Sequence, residues 1–251
     1  METLFIGQNA IFLPEVQSTN SYAIELLKNV NPIEGTMVYT THQTQGRGQR
    51  GNTWVSEPGR NVAVSFILKP SFLNLNKLFY LYIISALAVH DLMAELLGSS
   101  QFDIKIKWPN DILVDSKKIA GILNENVISN GIASTSVVGI GLNLNQTYFE
   151  GLKHATSINL LTGKEVETKK ILDLLCKHFE CYYLKLKNNH FDELLQNYYG
   201  HFYKLGEAQD FIINDQVRSL HIKGISRSGL LHLCDDKGID LFFDIKEIKW
   251  V

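Results

Sequence analysis

The apolar positions along the chain change period several times, and each change marks an element. "AIFLPEV" (10–16) is a short apolar run interrupted by a proline and reads as a strand. Ser18, Thr19 and Asn20 then lead into "SYAIELLKNV", where Ala23, Leu26, Leu27 and Val30 recur at helical spacing. "TMVYTTHQ" (36–43) alternates and is rich in β-branched residues, as a strand should be. "VAVSFILKP" (62–70) reads as a further strand, ended by Pro70. Between these two lies "TQGRGQRGNTWVSEPGRN" (44–61), polar, with four glycines and no stripe, which predicts a long loop.

The stretch from about Leu75 to Leu97 predicts a core helix that stops at Gly98. Its most apolar part, "LFYLYIISALAV" (78–89), is short for a bilayer span and is bracketed by Lys77 and by His90-Asp91. "DIKIKWP", "DILVDSKKIAGILNENVI" and "STSVVGIGLNLN" predict strands, with tight turns at "WPND" and "DSKK". An irregular segment (145–160) precedes two helices between Thr168 and about Tyr203. After Gly206 come five short strand-like pieces separated by turns, enough for a small separate β-barrel. That divides the chain into 1–204 and 205–251.

Composition narrows the function. The 251 residues are 45% hydrophobic, enough for one medium core and a small second one. With a net charge of −2 and scattered Lys and Arg, the chain lacks the broad basic field of a nucleic-acid binder. Cys176, Cys181 and Cys234 are odd in number and form no CxxC, which suits free thiols in the cytoplasm rather than a disulfide framework. "METLFIGQNAIF" has no positive region ahead of an apolar one, so no signal peptide is evident, and no membrane attachment is expected.

"GRGQRG" (46–51) has the Gly-x-Gly-x-x-Gly spacing of a dinucleotide-binding turn. That turn must open directly into a helix, whose N-terminus meets the pyrophosphate. Here "NTWVSEPGRN" follows, with a proline and no helical stripe, so the dinucleotide reading fails. The loop still suits an anion: its glycines expose backbone N–H groups, and Arg47 and Arg50 carry forked donors. A solvated surface loop is the plain alternative.

Other stretches also carry two readings. Ser18-Thr19-Asn20 supplies a helix cap, but three polar residues exceed what one cap needs. "KWPND" (107–111) is a hairpin turn that gathers a cation, an aromatic plane, an amide and a carboxylate. There Asn110 suits an adenine edge, and Asp111 suits Mg²⁺ beside phosphate. Lys118 opens the apolar strand "KIAGIL" (118–123), as an ordinary strand-end lysine or as a site cation. "GIGLNLN" (139–145) sets glycines inside a strand, a sign of close approach by a backbone or a ligand. The eight histidines show no metal-ligand spacing, and neither GxSxG nor SxxK occurs.

In order and spacing, "STN" (18–20), "QTQGRGQRGNTW" (43–54), "KWPNDIL" (107–113), "KIAGIL" (118–123) and "GIGLNLN" (139–145) resemble the biotin protein ligases. The likeness runs from about residue 10 to 200 and is to the ligase-only class, which has no N-terminal winged helix. It implies an α+β fold: a mixed, mostly antiparallel sheet flanked by helices, of class II synthetase type, followed by a small SH3-like β-barrel. It also implies two steps, with ATP and Mg²⁺ as co-reactants. Biotin and ATP give biotinyl-5′-AMP, and the acyl group then passes to a lysine of the biotin carrier domain of a carboxylase. A homodimer through the sheet edge also occurs in the family.

Carried onto this sequence, the resemblance assigns biotin to Ser18, Thr19, Asn20, Gln43, Gly46, Arg47, Gly48, Gln49, Lys118 and Gly121. It assigns ATP to Arg50, Trp54, Lys107, Asn110 and Asn143, the metal side to Asp111, and catalysis to Lys118, Arg47 and Arg50. Relatives often carry arginine where this chain has Gln49, so Arg47 or Arg50 is expected to face the phosphate instead. Two other readings remain. Lipoate and octanoate ligases share the fold, but their Arg-Arg, Gly-Gly-Gly and His-Asp patterns are missing here. A non-catalytic biotin-binding regulator would have no need of Lys118.

Overall fold

The computed structural model of the chain describes residues 2–98, 100–129 and 132–251, without the side chains of Arg50, Ser129, Ile132 and Ala133. In chain order the elements of the first part are β1 (Ala10–Phe12), α1 (Thr19–Asn29), β2 (Thr36–Thr40), β3 (Val62–Leu68), α2 (Phe79–Leu97), β4 (Ile104–Lys107), β5 (Asp111–Val114), β6 (Lys117–Ser129) and β7 (Ile132–Leu142). The short α3 (Ile158–Thr162) and the longer α4 (Thr168–Lys187) and α5 (Phe191–Gly200) follow. The tail holds β8 (Ala208–Ile213), β9 (Gln216–Ile225), β10 (Leu231–Cys234), β11 (Asp240–Phe243) and β12 (Lys249–Trp250).

β1 to β7 form one sheet of order β1-β2-β3-β7-β6-β5-β4. Only β1 and β2 run parallel; the other neighbours are antiparallel. The tail forms a five-stranded antiparallel sheet of order β11-β10-β9-β8-β12. This is the mixed α+β architecture with a small C-terminal β-unit expected from the sequence. The "DSKK" turn is a tight hairpin whose central residues, Asp115 and Ser116, both have positive φ, at 48° and 63°.

Strand alternation sorts side chains between the two faces of the large sheet. Val62, Val64, Phe66 and Leu68 of β3, with Val138, Ile140 and Leu142 of β7, join the main core beneath α2, α4 and α5. Their alternates face α1, where Ala23, Val38, Ile67 and Val137 form a small second core. The apolar length around α2 exceeds the run of twelve residues that the sequence emphasised. Leu75–Leu97 spans 23 residues with a mean hydropathy of 1.4 over its most apolar window, enough by length and composition to cross a membrane. Two-thirds of that window is buried inside the protein, which makes it the central core helix.

The two sheets share one apolar core. Phe211, Leu220 and Leu231 of the tail belong to the same buried cluster as Ile106 and Trp108. The "WPND" turn is the point of attachment. The indole N–H of Trp108 donates to the Gly229 carbonyl at 2.9 Å, and Trp250 Nε1 donates to the Trp108 carbonyl at 3.3 Å. Trp108 is only 2% exposed, so its ring is a buried anchor and not the open stacking plane its motif suggests.

Candidate active site

Small residues make a floor on the α1 face of the sheet. Ser65, Gly139 and Leu123 form one cross-strand row, and Ala63, Gly141 and Gly121 the next. A Cβ at Gly139 would collide with the Asn20 carboxamide, and one at Gly141 with the Trp54 indole. The sequence read these glycines as a sign of close approach by backbone or ligand. The groups that approach are two side chains of the chain itself.

Above this floor lies a cleft of about 280 Å³. Its polar end comes from the start of α1. Ser18 caps the helix by accepting from Ser21 N at 3.4 Å, while Thr19 and Asn20, each 3% exposed, point into the cleft wall. Both sequence readings of this triplet therefore hold together. Gln43 Oε1 accepts from Thr19 N at 2.9 Å. Ser65 Oγ lies 2.8 Å from Thr19 Oγ1 and donates to Asn20 Oδ1 at 2.6 Å. Asn20 Nδ2 donates to the Leu123 carbonyl at 3.2 Å and to Glu125 Oε2 at 2.9 Å.

The glycine-rich loop borders the cleft. Gly48 lines the cleft, whereas Gly46 is buried behind it, its carbonyl accepting from Trp54 N at 2.9 Å. Arg47 spans the mouth: Nη2 lies 2.9 Å from Glu125 Oε1, and Nη1 donates to Ser21 Oγ at 3.3 Å. Gln49, in a 3₁₀ turn, also lines the cleft, and both polar atoms of its amide are buried with no hydrogen-bond partner among the described residues. Arg50 occupies the same turn, but its side chain lies outside the described residues.

A second lobe of about 760 Å³ opens beside the first. The two share Thr53, Trp54, Asp111, Lys118 and Trp250, which form the seam between them. A bulge places Lys118 there. Leu113 pairs with Lys118 but Ile112 with Ala120, so Ile119 is the extra residue in β6. Ile119 and Ala120 are both fully buried, and Lys118 therefore turns to the same side as Gly121. Its ammonium lies 2.7 Å from Asp111 Oδ1 and 5.7 Å from the centre of the Trp54 ring.

Lys107 lines the second lobe, with Nζ 4.7 Å from the Trp250 ring and 5.9 Å from that of Tyr203. Burial lowers its pKa, and Lys118 adds to the shift while Asp111 opposes it. Asn110 closes the turn through Nδ2, which donates to the Ile122 carbonyl at 3.0 Å, and lines the first lobe. Asn143 lines the second lobe, with Nδ2 donating to the Thr156 carbonyl at 3.0 Å. Asn143 Oδ1 and Trp54 Nε1 are buried with no hydrogen-bond partner among the described residues. Orphaned polar atoms in a cleft wall are what a ligand would satisfy.

The structure thus gathers the sequence-predicted residues around one two-lobed cleft, except for Gly46 behind the wall and the undescribed Arg50 side chain. Sequence reading missed three contributors. Ser65 had a signal, as the only polar residue within the buried run "VAVSFIL". Glu125 shares the alternation of Gly121 and Leu123 and so had a weak one. Trp250, next to the C-terminus, had none.

Comparison with known proteins agrees with this geometry. Residues 12–143 match the model of the biotin/lipoate A/B protein ligase family. The bifunctional ligase/repressor BirA of Bacillus subtilis is 36% identical over 182 residues, 70% of this chain and 54% of that protein. The chain therefore spans about half the length of that relative. The biotin–[acetyl-CoA-carboxylase] ligase of Paracoccus denitrificans is 31% identical over 228 residues, 88% of this chain and 92% of that one. The solved biotin protein ligase of Aquifex aeolicus, in complex with biotin and ATP, superimposes with a TM-score of 0.80 at 29% identity, over 97% of this chain and 100% of the other. The match to the family model runs from the first strand to the asparagine after the glycine floor, so this chain belongs to the biotin/lipoate A/B protein ligase family.

Proposed function

We propose that the chain is an ATP-dependent biotin protein ligase. It joins biotin to the α-phosphate of ATP, releasing pyrophosphate, and passes the acyl group to a lysine of a biotin carrier domain. The observation that carries this reading is the position of Lys118, at the seam between a lobe whose polar end is built by Thr19, Asn20 and Gln43 and a second lobe lined by Lys107.

Each lobe suits one substrate. Thr19, Asn20 and Gln43 supply the donors and acceptors that a ureido ring demands, with Ser65 behind them holding Asn20, and a site built on such bonds rejects an acid without them. Asn143, with its orphaned Oδ1, lines the nucleotide lobe, and Trp54, whose Nε1 is also unpartnered, borders both lobes. In the first step a biotin carboxylate oxygen attacks the α-phosphorus and the bond to pyrophosphate breaks. Both reactants are anions, so a cation held between them lowers the barrier. Lys118 fills that role, with Lys107 set for the leaving phosphates. Arg47 is already paired with Glu125, so Arg50 is the loop arginine assigned to the phosphate.

Among the described residues no group of three His, Cys, Asp or Glu forms a resident metal cage. One carboxylate does fit an Mg²⁺ that arrives with the nucleotide, because that ion takes one or two carboxylates besides phosphate oxygens. Asp111 would provide it, and the ion would screen the phosphate charge. In the second step the glycine-rich loop acts as a lid that keeps water from the mixed anhydride, the carrier lysine attacks the acyl carbon and AMP leaves, and positioning of the incoming amine provides the acceleration.

We assign 1–204 to catalysis and 205–251 to a supporting barrel, whose Trp250 and Ile248 reach the cleft. The free thiols of Cys176, Cys181 and Cys234 suit work in the cytoplasm. A lipoate ligase would leave Asn20 and Gln43 unused, since lipoate carries no ureido group. The test is transfer. With ATP, Mg²⁺ and a biotin carrier domain, the carrier gains the mass of one biotinyl group; a gain with lipoate in place of biotin would overturn the assignment.

A further inference from the structure

One carboxylate joins the two halves of the biotin lobe. Glu125 lies on β6, on the same face as Gly121 and Leu123. Its Oε2 accepts from Asn20 Nδ2 and its Oε1 from Arg47 Nη2, both at 2.9 Å. Asn20 belongs to the polar end of the cleft, and Arg47 to the glycine-rich loop that covers it.

The bonds of Asn20 settle what it can offer a ligand. Both Nδ2 protons are spent, on Leu123 O and Glu125 Oε2, while among the described residues Oδ1 accepts only from Ser65 Oγ. A carboxamide oxygen has a second lone pair. Asn20 therefore faces the cleft as an acceptor, able to take a ureido N–H and unable to donate to the ureido oxygen. Without the Glu125 carboxylate, one Nδ2 proton is released and only Leu123 O and Ser65 Oγ hold the amide.

The same carboxylate moors the lid. Among the described residues the Arg47 side chain bonds to Glu125 and Ser21, and it is 49% exposed against 25% for Glu125. An opening loop must break this pair, and in doing so it loosens the group that orients Asn20.

We infer that Glu125 is a positioning residue that couples lid closure to recognition of the ureido ring, by holding Arg47 and the Asn20 amide on its two oxygens. The inference rests on the biotin reading above and adds a residue that the reading itself does not require. Because the Arg47 side of the clasp is half exposed, salt weakens it, whereas the buried Asn20 side is screened much less.

Two readouts test it. Hydrogen exchange of the ligand-free protein reports the loop 44–54, and the dissociation rate of biotin reports the site. Glu125→Ala is expected to speed loop exchange and biotin release by about tenfold or more, with exchange in β3 and α2 unchanged. Arg47→Ala is expected to match the loop effect with a smaller effect on release, since Asn20 keeps its partner. In Glu125→Gln, whose side chain has a single acceptor oxygen, both effects are expected to be intermediate, and the rise of release rate with salt expected of the wild type is lost. Wild-type loop exchange and wild-type release in both Glu125 variants would overturn the inference. If the wild type itself fails to bind biotin, the ligase reading falls, and the exchange arm still decides whether the clasp exists.

Discussion

Lys118 and Asp111 form an ion pair across the β5–β6 ladder, Nζ to Oδ1 2.7 Å, at the place where two lobes of a cleft meet. The bulge at Ile119 is what makes the pair possible, because regular alternation would turn Lys118 into the core. Neither partner is fully buried, at 36% and 26% exposure, so the pair exchanges readily for an incoming anion. Lys118→Met is expected to cut adenylate formation by about 100- to 1000-fold, roughly 2.7–4 kcal/mol, the loss typical of a group that stabilises developing charge. Single-turnover formation of the acyl-adenylate measures this, and an effect below tenfold would remove Lys118 from the chemical step.

The glycine floor gives a second expectation. A methyl at Gly139 meets Asn20 Oδ1, which Ser65 already holds in place, and one at Gly141 meets the rigid Trp54 ring. Gly139→Ala should weaken biotin binding by at least about tenfold, near 1.4 kcal/mol. Gly141→Ala should act on both substrates, because Trp54 borders both lobes. Calorimetric titration of each substrate separates the two patterns.

These two cases mark how far the sequence could be read. Strand and helix periods revealed α2, the β-rich centre and the C-terminal strands, because burial imposes a period of 2 or 3.6 on apolar residues. The motifs also pointed to one site. Lys118 could be named, but its direction could not, since the bulge depends on pairing with a strand and not on local pattern. Trp108 looked like a stacking plane until its indole N–H was found bonded to Gly229, more than a hundred residues further along. Glu125 and Trp250 become visible only when distant segments meet.

The C-terminal sheet should affect the nucleotide more than the acid. Trp250 packs on Phe211 with ring centroids 4.8 Å apart, bonds to the Trp108 carbonyl, and lies over Lys107. Trp250→Ala removes a cation–π contact of about 0.5–2 kcal/mol. The expected outcome is a KM for ATP raised by about tenfold and a smaller rise in the KM for biotin, because Trp250 borders both lobes but meets Lys107 on the nucleotide side. Equal changes in both would mean that Trp250 serves only general packing.

Stability should depend on His201. Its ring stacks on His90 with centroids 3.7 Å apart, and burial first, then the nearby His90 and Lys105, lower its pKa, while Asp91 opposes them. A base with a depressed pKa stays neutral in the folded state where the unfolded chain takes up a proton. The unfolded state then binds more protons, so stability falls as pH drops below about 6.5 and levels off below the folded value. Urea midpoints at pH about 7.5 and about 5.5 should therefore differ more in the wild type than in His201→Gln. An identical slope would show that other groups set the acid response.

The most direct test of the central claim is exchange of labelled pyrophosphate into ATP, with biotin and lipoate supplied in separate reactions. Rapid exchange that requires biotin, ignores lipoate and collapses in Lys118→Met is the predicted result. Exchange driven by lipoate, or none with either acid, would contradict the account.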